Sequence, residues 1–316
     1  MKNMNTELTA EWLLSNDDYL ILCHRYPDGD TIGSAFALCR ALIALGKNAA
    51  VICSDLIPSK YAYIYDNLNL PVFKEKNIIA VDVADPKLLG MLEEEYGGKV
   101  DLCIDHHGSN LKYAKRLLLD PKAAATGEII YRLIPAMGVS IDKKMAEALF
   151  TAIVTDTGCF RYGNTTPETM RIGAELMSMG VDHEAINREM FDTKSRERMA
   201  VEQAVLSTLD YWCGGKCAVM YLTDEMIQKT NANEGDLEGL APMPKRIEGV
   251  KIGITLRQGD EGYKVSVRTN PGIDACQICK KFGGGGHTAA SGCFIKGTLS
   301  SVKEDLHIAI SEVLGE

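Results

Sequence analysis

Short apolar runs alternate with helical patterns through the first half of the chain. Tyr19–His24 (YLILCH), Ala49–Cys53, Ile78–Asp82 (IIAVD) and Val100–Asp105 (VDLCID) have the length of buried strands. Thr31–Leu45 (TIGSAFALCRALIAL) repeats its apolar positions at helical spacing and stops at Gly46, a residue that readily ends a helix. Further helices are predicted around Pro86–Tyr96 and over Thr126–Met137, Lys143–Asp156, Pro167–Met179 and Asp182–Met190. Strands alternating with helices predict an α/β fold, a largely parallel sheet flanked by helices. The charged pattern Lys194–Tyr211 reads as a helix joining two halves, punctuated by Cys213-Gly-Gly-Lys216. Beyond it, Cys217–Leu222, Val250–Arg257 and Tyr263–Thr269 read as strands of a second, smaller α/β domain. The expected organisation is therefore a domain over residues 1–190, a connecting helix over 191–215 and a domain over 216–316. The chain has no internal repeat and no low-complexity tract.

Composition narrows the class. The chain has 316 residues, 46% hydrophobic and 24% charged, enough apolar material for a substantial core and too much for global disorder. No apolar run approaches the roughly 18–20 residues that cross a bilayer, so no membrane partner is expected. The N-terminal stretch lacks a basic segment followed by an apolar one, and a cytoplasmic protein is the expectation. Thirty-four Lys and Arg against 43 Asp and Glu give a net charge of −9, which disfavours wrapping duplex nucleic acid. Residues 241–316 carry ten basic and eight acidic side chains, so the excess negative charge lies in the first 240. Ten cysteines are expected to be buried reduced thiols in a cytoplasmic chain. The Cys276-x2-Cys279 and Cys213-x3-Cys217 spacings would suit a shared zinc ion, but IDACQICKKF reads as an ordinary amphipathic helix.

The chemistry gathers at strand ends. His24-Arg-Tyr-Pro-Asp28-Gly-Asp30 follows the first strand directly, at the carboxyl edge where open α/β sheets place their sites. Asp82 ends another strand, Asp105-His106-His107 ends a third, and Asp156 closes an apolar helix. Each has a structural alternative: Asp30 as a helix cap, His24 as a strand-end histidine, the other acids as caps or turn residues. Together, hard carboxylates and imidazoles with no cysteine among them suit a pair of Mn²⁺ or similar divalent ions. Without metals so many acids would repel one another. In the second half, four consecutive glycines (283–286) let a backbone approach a phosphate without Cβ clashes, although a glycine run is also a common flexible turn. Lys281 before the run, His287 after it and Arg268 on a nearby strand favour an anion pocket with Gly284, Gly285 and Gly286. Arg161, shortly after Asp156, either lines the same cleft or is a solvated loop charge.

HRYPDGDTIGS, VDVADP, DHH at 105–107 and TDTG resemble the four motifs of the DHH phosphoesterase superfamily. VSVR at 265–268 and KFGGGGHTAASG from Lys281 resemble the DHHA1 module, and the pairing is similar to the oligoribonuclease and 3′-phosphoadenosine-5′-phosphate (pAp) phosphatase group. The resemblance covers nearly the whole chain. It implies an N-terminal DHH domain and a smaller C-terminal DHHA1 domain. It implies that His24 and Asp28 hold one ion and that Asp30, His106 and Asp156 hold the other, with Asp82 bridging. Asp105 would orient His106. A water between the ions would act as the nucleophile on phosphorus. His107 would contact a phosphoryl oxygen or assist proton transfer, its alternatives being a further metal ligand or a structural histidine. Arg268 would take the substrate's second phosphate.

The implied substrates are short single-stranded oligoribonucleotides of two to five nucleotides entering an interdomain gap, linear dinucleotides such as pApA, and pAp. The alternatives are a manganese-dependent inorganic pyrophosphatase and a non-catalytic nucleotide-binding module of the same fold. The pyrophosphatase would carry a lysine- and arginine-rich loop where this chain has GGGH, and the binding module would lack one or more metal ligands. The sequence does not fix the oligomeric state, and a homodimer is left open.

Overall fold

In the computed structural model, which describes residues 1–68 and 70–315, the apolar runs of the first half pair into one parallel sheet. Its strands among these residues are β1 (Lys2–Asn3), β2 (Tyr19–Leu22), β3 (Ala49–Ile52), β4 (Asn77–Val81), β5 (Leu102–Asp105) and β6 (Arg116–Leu119). They lie in the order β1-β6-β5-β4-β2-β3, each neighbouring pair parallel. The helices are α1 (Thr6–Ser15), α2 (Gly29–Ala44), α3 (Ala62–Tyr65), α4 (Glu93–Tyr96), α5 (Thr126–Ala136), α6 (Lys143–Asp156), α7 (Pro167–Ser178) and α8 (His183–Asn187).

Both faces of this sheet are buried, which is why its strands read as continuous apolar runs rather than alternating ones. Tyr19, Ile21 and Cys23 pack with Ile32, Phe36, Leu149 and Ile153 of α2 and α6. Leu20 and Leu22 point the other way, into a cluster with Ile78, Ala80, Leu89 and Cys103. From β2 the chain runs to β3 on one side and then returns to place β4 on the other. The carboxyl ends of β2 and β4 therefore flank a reversal of strand order, where such sheets open a crevice.

The chain divides into two compact units, Met1–Thr193 and Lys194–Glu316. In the second, β7 (Asp210–Trp212), β8 (Cys217–Leu222), β9 (Ile252–Gly259), β10 (Gly262–Thr269), β11 (Gly285–His287) and β12 (Ala290–Lys296) lie in the order β11-β12-β10-β9-β8-β7. All its neighbours are antiparallel except β8 and β9. Its helices are α9 (Arg196–Leu206), α10 (Asp224–Thr230), α11 (Ala275–Lys280) and α12 (Leu299–Leu314). One face buries Ile254, Leu256, Val265, Val267 and Ile295 against Ile278 of α11 and Val302, Leu306 and Ile310 of α12.

The stretch read as a connecting helix is divided differently. Its helix ends at Leu206, β7 takes Asp210–Trp212, and both lie in the second unit. The physical reason is the apolar stripe of α9: Val201 and Val205 need covering, and they find it against Met220, Leu222 and Leu240. The Pro86–Tyr96 helix is also broken, by a non-helical Gly90 within the 3₁₀ stretch Pro86–Leu92 that precedes α4.

Candidate functional site

The polar residues that interrupt the apolar runs converge at the carboxyl edge of the parallel sheet. His24 and Asp28 lie in the loop from β2 to α2, Asp82 follows β4, Asp105 ends β5 with His106 and His107 after it, and Asp156 is the last residue of α6. Asp28, not Asp30, caps α2, its Oδ1 accepting the Asp30 and Thr31 N–H groups at 3.1 Å. Asp30 is inside the first turn and buried, its carboxylate accepting from the Thr126 and Gly127 N–H groups at 2.7 and 2.9 Å and from Ser34 Oγ at 3.0 Å. The positive N-terminus of α5 thus holds this anion in place. Asp82 has φ +62°, a left-handed conformation uncommon outside glycine, and Thr126 Oγ1 donates to its Oδ1 at 2.8 Å. Ser34 closes the HRYPDGDTIGS motif, whereas Thr126 and Gly127 have no motif signal in the sequence. Their hydrogen bonds to the acids span up to 97 residues of chain.

The imidazoles define what this cluster can hold. His106 Nδ1 lies 3.1 Å from the Ala123 carbonyl, an atom that can only accept, so that nitrogen carries the proton. His106 Nε2 therefore presents a lone pair. It is buried with no hydrogen-bond partner. Asp30 Oδ2, Asp82 Oδ1 and Asp156 Oδ2 surround it at 3.8, 3.8 and 3.7 Å. His24 repeats the pattern: Nδ1 faces the Arg25 carbonyl at 2.8 Å, and Nε2 lies 3.5 Å from Asp28 and 3.7 Å from Asp82. Lone pairs aimed at carboxylate oxygens, beyond hydrogen-bond length, suit donors arranged around a shared cation.

The charges agree. Burial, then repulsion from Asp82, pushes Asp30 well above the ordinary carboxylate range. Burial, then Asp28, carries Asp82 to about 7, and burial raises Asp156 at the negative C-terminal end of its helix. Burial disfavours a charged His24, yet Asp28, the Arg25 carbonyl and Asp82 carry it to about 9, so without a metal a proton takes the place on Nε2 that a cation would occupy. Such a set is held against its own repulsion unless cations neutralise it. The donors fit divalent metal ions in three overlapping groups: His24, Asp28 and Asp82; Asp30, His106 and Asp156; and Asp82, His106 and His107.

His107 is built differently. Its Nδ1 donates to Asp105 Oδ1 at 2.8 Å, which leaves that nitrogen without a lone pair for a metal, although Asp82 Oδ1 is 3.5 Å away. The hydrogen bond to Asp105 lifts this half-exposed imidazole to about 9. The expected link from Asp105 to His106 is replaced here. Asp105 instead accepts from the His107 ring and backbone and, at 2.6 Å, from Asn110 Nδ2, while Ala123 fixes His106. The cause is the bend after β5, which folds the backbone N–H of residue 107 onto the carboxylate of residue 105, an Asx-type turn.

In the second unit, Arg268 on β10 and His287 on β11 each pair in register with Ala290 on β12, so they lie on one face of the sheet. Gly284 is forced: a Cβ there would stand 2.3 Å from the Gly292 carbonyl oxygen. Gly286 has φ +147° and equally little room, whereas Gly285 is open. Lys281 does not join this row, because its ammonium pairs with Glu312 of α12. Arg161 stays in the first unit, donating to the Gly158 carbonyl at 2.5 Å with its guanidinium over Phe191. Cys276 and Cys279 lie on α11. Among the described residues, the groupings of three or more metal-capable side chains all lie in the first unit.

Residues 18–153 match the DHH family, N-terminal domain, and residues 214–316 match the DHHA1 domain. Over 302 residues the chain is 34% identical to the bifunctional oligoribonuclease and PAP phosphatase NrnA of Thermus thermophilus, covering 90% of this chain and 89% of that one. The chain belongs to the DHH family. Its Bacillus subtilis relative of the same name is 25% identical over 92% of this chain and 93% of its own. Among solved structures, an exopolyphosphatase-related protein from Bacteroides fragilis superposes with a TM-score of 0.86 at 27% identity, covering 97% of this chain and 95% of that one. As a DHH-family phosphoesterase, the chain places its motifs at the strand ends and at the end of α6 described above, and its DHHA1 domain carries the Arg268 row. No helix among the described residues is long and apolar enough to cross a membrane.

Proposed function

We propose that this DHH-family enzyme hydrolyses short single-stranded oligoribonucleotides and linear dinucleotides such as pApA to mononucleotides, and pAp to AMP, with two divalent ions, Mn²⁺ the preferred species. The observation that carries the reading is the pair of lone-pair imidazoles, His24 and His106, each facing Asp82 and its own carboxylates. The names of the relatives with the same two domains supply the substrate class.

In this reading His24 and Asp28 would hold one ion and Asp30, His106 and Asp156 the other, with Asp82 within reach of both groups. Ions held there supply Lewis-acid polarisation of a phosphoryl oxygen and make a water molecule more acidic. The Ala123 and Arg25 carbonyls hold the two ligand imidazoles in the tautomer that offers Nε2. Thr126 and the α5 N-terminus fix Asp82 and Asp30 so that neither carboxylate rotates away. Asp105 keeps the proton of His107 on Nδ1, leaving Nε2 to contact a phosphoryl oxygen or deliver a proton to the leaving oxygen. Arg268 and His287, with the glycine run, take a phosphate other than the one cleaved, and this binding energy serves turnover as well as affinity.

The test is a turnover panel of pApA, a 5′-phosphorylated RNA trimer, pAp and pyrophosphate, run after exhaustive chelation and again with added Mn²⁺. Hydrolysis of the nucleotides that disappears on chelation and returns with Mn²⁺ is expected. Full activity in protein shown to be metal-free overturns the metal-centred mechanism, and pyrophosphate as best substrate makes the protein a pyrophosphatase.

A further inference from the structure

The face that carries Arg268 and His287 continues beyond them. Cross-strand register in an antiparallel sheet decides which side chains share a face and a row. His287, Ala290, Arg268 and Gly253 form one row across β11, β12, β10 and β9. Gly285, Gly292, Ser266 and Thr255 form the next. Phe294, Lys264 and Arg257 form a third. Successive rows are two residues apart along each strand, so all three project from the same face. The opposite face is buried on α11 and α12; on this face the segment 241–245 covers Gly253 and Thr255 of β9, so the open part runs over β10, β11 and β12 to Arg257.

The three rows differ in chemistry. The first holds the proposed phosphate pocket. The second is small, a trough of Gly285, Gly292 and Ser266 that ends where Thr255 is buried beneath the Ala241 carbonyl. The third combines an exposed cation, Lys264, with Phe294, which is 45% exposed, and Arg257, whose guanidinium pairs with the surface carboxylate Glu234. A cavity of about 670 Å³ opens over this third row, with Gly259 and Gly292 in its lining. Four residues of antiparallel strand separate Lys264 from Arg268, roughly 14 Å. A solvent-facing phenylalanine beside two cations, above a floor of small residues, is what an extended anionic chain with flat bases requires.

We propose that the face of β9, β10 and β12 is a track for the rest of a single-stranded oligoribonucleotide, in which Lys264 and Arg257 contact the backbone phosphates and Phe294 stacks a base. The occupant is an RNA strand longer than a dinucleotide, whose negative charge complements the row. The assignment rests on the substrate class proposed above. It adds a specificity determinant for length: the Arg268 row serves every substrate, and the Lys264 row serves those long enough to reach it.

The experiment compares a 5′-phosphorylated RNA pentamer with pApA, using the full chain with Mn²⁺ and the variants Lys264→Ala, Phe294→Ala and Phe294→Leu. The quantity read is the pentamer-to-pApA ratio of kcat/KM. Removing an aromatic platform from under a base weakens binding roughly tenfold or more, so that ratio is expected to fall about tenfold in Phe294→Ala, through KM. Binding of a phosphorothioate pentamer is measured in parallel against salt. Each phosphate that the protein no longer neutralises reduces the slope of log K against log salt by about 0.7, and Lys264→Ala is expected to show one such step. Melting temperatures check that the variants fold. An unchanged ratio together with an unchanged salt slope overturns the track, as does an equal loss for both substrates. If the native protein hydrolyses neither RNA, the substrate reading falls instead. Pentamer binding then decides the track, and binding that ignores Lys264→Ala and Phe294→Ala rules it out.

Discussion

The two units handle charge in opposite ways. The first collects like charges and buries them: Asp30, Asp82 and Asp105 are each at most 3% exposed, in a sheet covered on both faces. The second spreads its cations over a sheet face left open along β10, where Lys264 is solvated and Arg268 half-buried. Burying carboxylates together is costly without a counter-charge, whereas exposed cations cost little in any state. The first unit is thus a site that depends on its ligand ions for electrostatic balance, and the second is complete by itself. Loss of a residue should therefore have different signatures in the two: metal content and stability move in the first, and substrate preference moves in the second.

The largest effect is expected at Asp82, the one carboxylate close to both imidazoles that offer Nε2. Asp82→Ala should lower kcat by at least about 10²–10³-fold, the usual scale for removing a stabiliser of transition-state charge, with bound metal falling alongside. Asp82→Asn keeps an acceptor for Thr126 Oγ1 but removes one negative charge. In chelated protein it should melt higher than the native chain, by about 2–4 °C for each kcal/mol of repulsion relieved. Calorimetry with and without chelator, beside metal analysis, reads both effects. A variant with near-native turnover, or a chelated Asp82→Asn that melts lower, means that the cluster is not held against its own repulsion.

Arg268 probes the other side of the contrast. Removing a charged hydrogen-bonding partner costs about 1.5–3 kcal/mol, so Arg268→Ala should depress kcat/KM for pApA and pAp by roughly 10–100-fold. Metal content should match the native protein, because no residue of the second unit is among the metal-capable groups found in the described residues. A small activated phosphodiester should suffer at least about tenfold less than pApA. If all three substrates lose equally at full metal occupancy, Arg268 acts on the chemical step itself and the division of labour fails.

What the sequence made legible follows the same contrast. In the first unit, polar residues stand out because they break apolar runs at strand ends, and His24, Asp28, Asp30, Asp82, His106 and Asp156 all meet at one sheet edge. The residues that hold them were not legible. Thr126 and Gly127 reach Asp30 from almost a hundred residues away, and no local pattern encodes that approach. Strand β6, the four-residue run RLLL, is too short to separate from a helix fragment by periodicity. In the second unit β11 and β12 were hidden by their glycines and alanines. Alternation along β10 shows that Lys264 and Arg268 share a face, but only register shows that Phe294 and Arg257 stand beside Lys264.

The smallest effect separates two roles for Asp105, and it lies within the first unit. If Asp105 held His106, its loss would loosen a metal ligand and lower metal content. The geometry instead ties it to His107 Nδ1 at 2.8 Å and to Asn110 Nδ2 at 2.6 Å. Asp105→Asn is the informative change, because an amide has one accepting and one donating end. If its oxygen keeps the His107 proton, its NH₂ faces the NH₂ of Asn110, whose own oxygen is engaged by the Lys112 N–H at 2.7 Å. One of the two hydrogen bonds must therefore fail: either the His107 ring loses its fixed tautomer, or it keeps a neutral acceptor in place of the carboxylate while Asn110 is left unpaired. Changes to residues that orient a catalytic group commonly cost about 10–100-fold, and the lower end is expected here because the fold around β5 is otherwise intact. The measurement is kcat for pApA with metal content determined on the same preparation. A roughly tenfold fall in kcat at native metal content assigns Asp105 to His107. A fall that tracks a loss of metal returns it to His106, and makes His107 a bystander to the charge cluster.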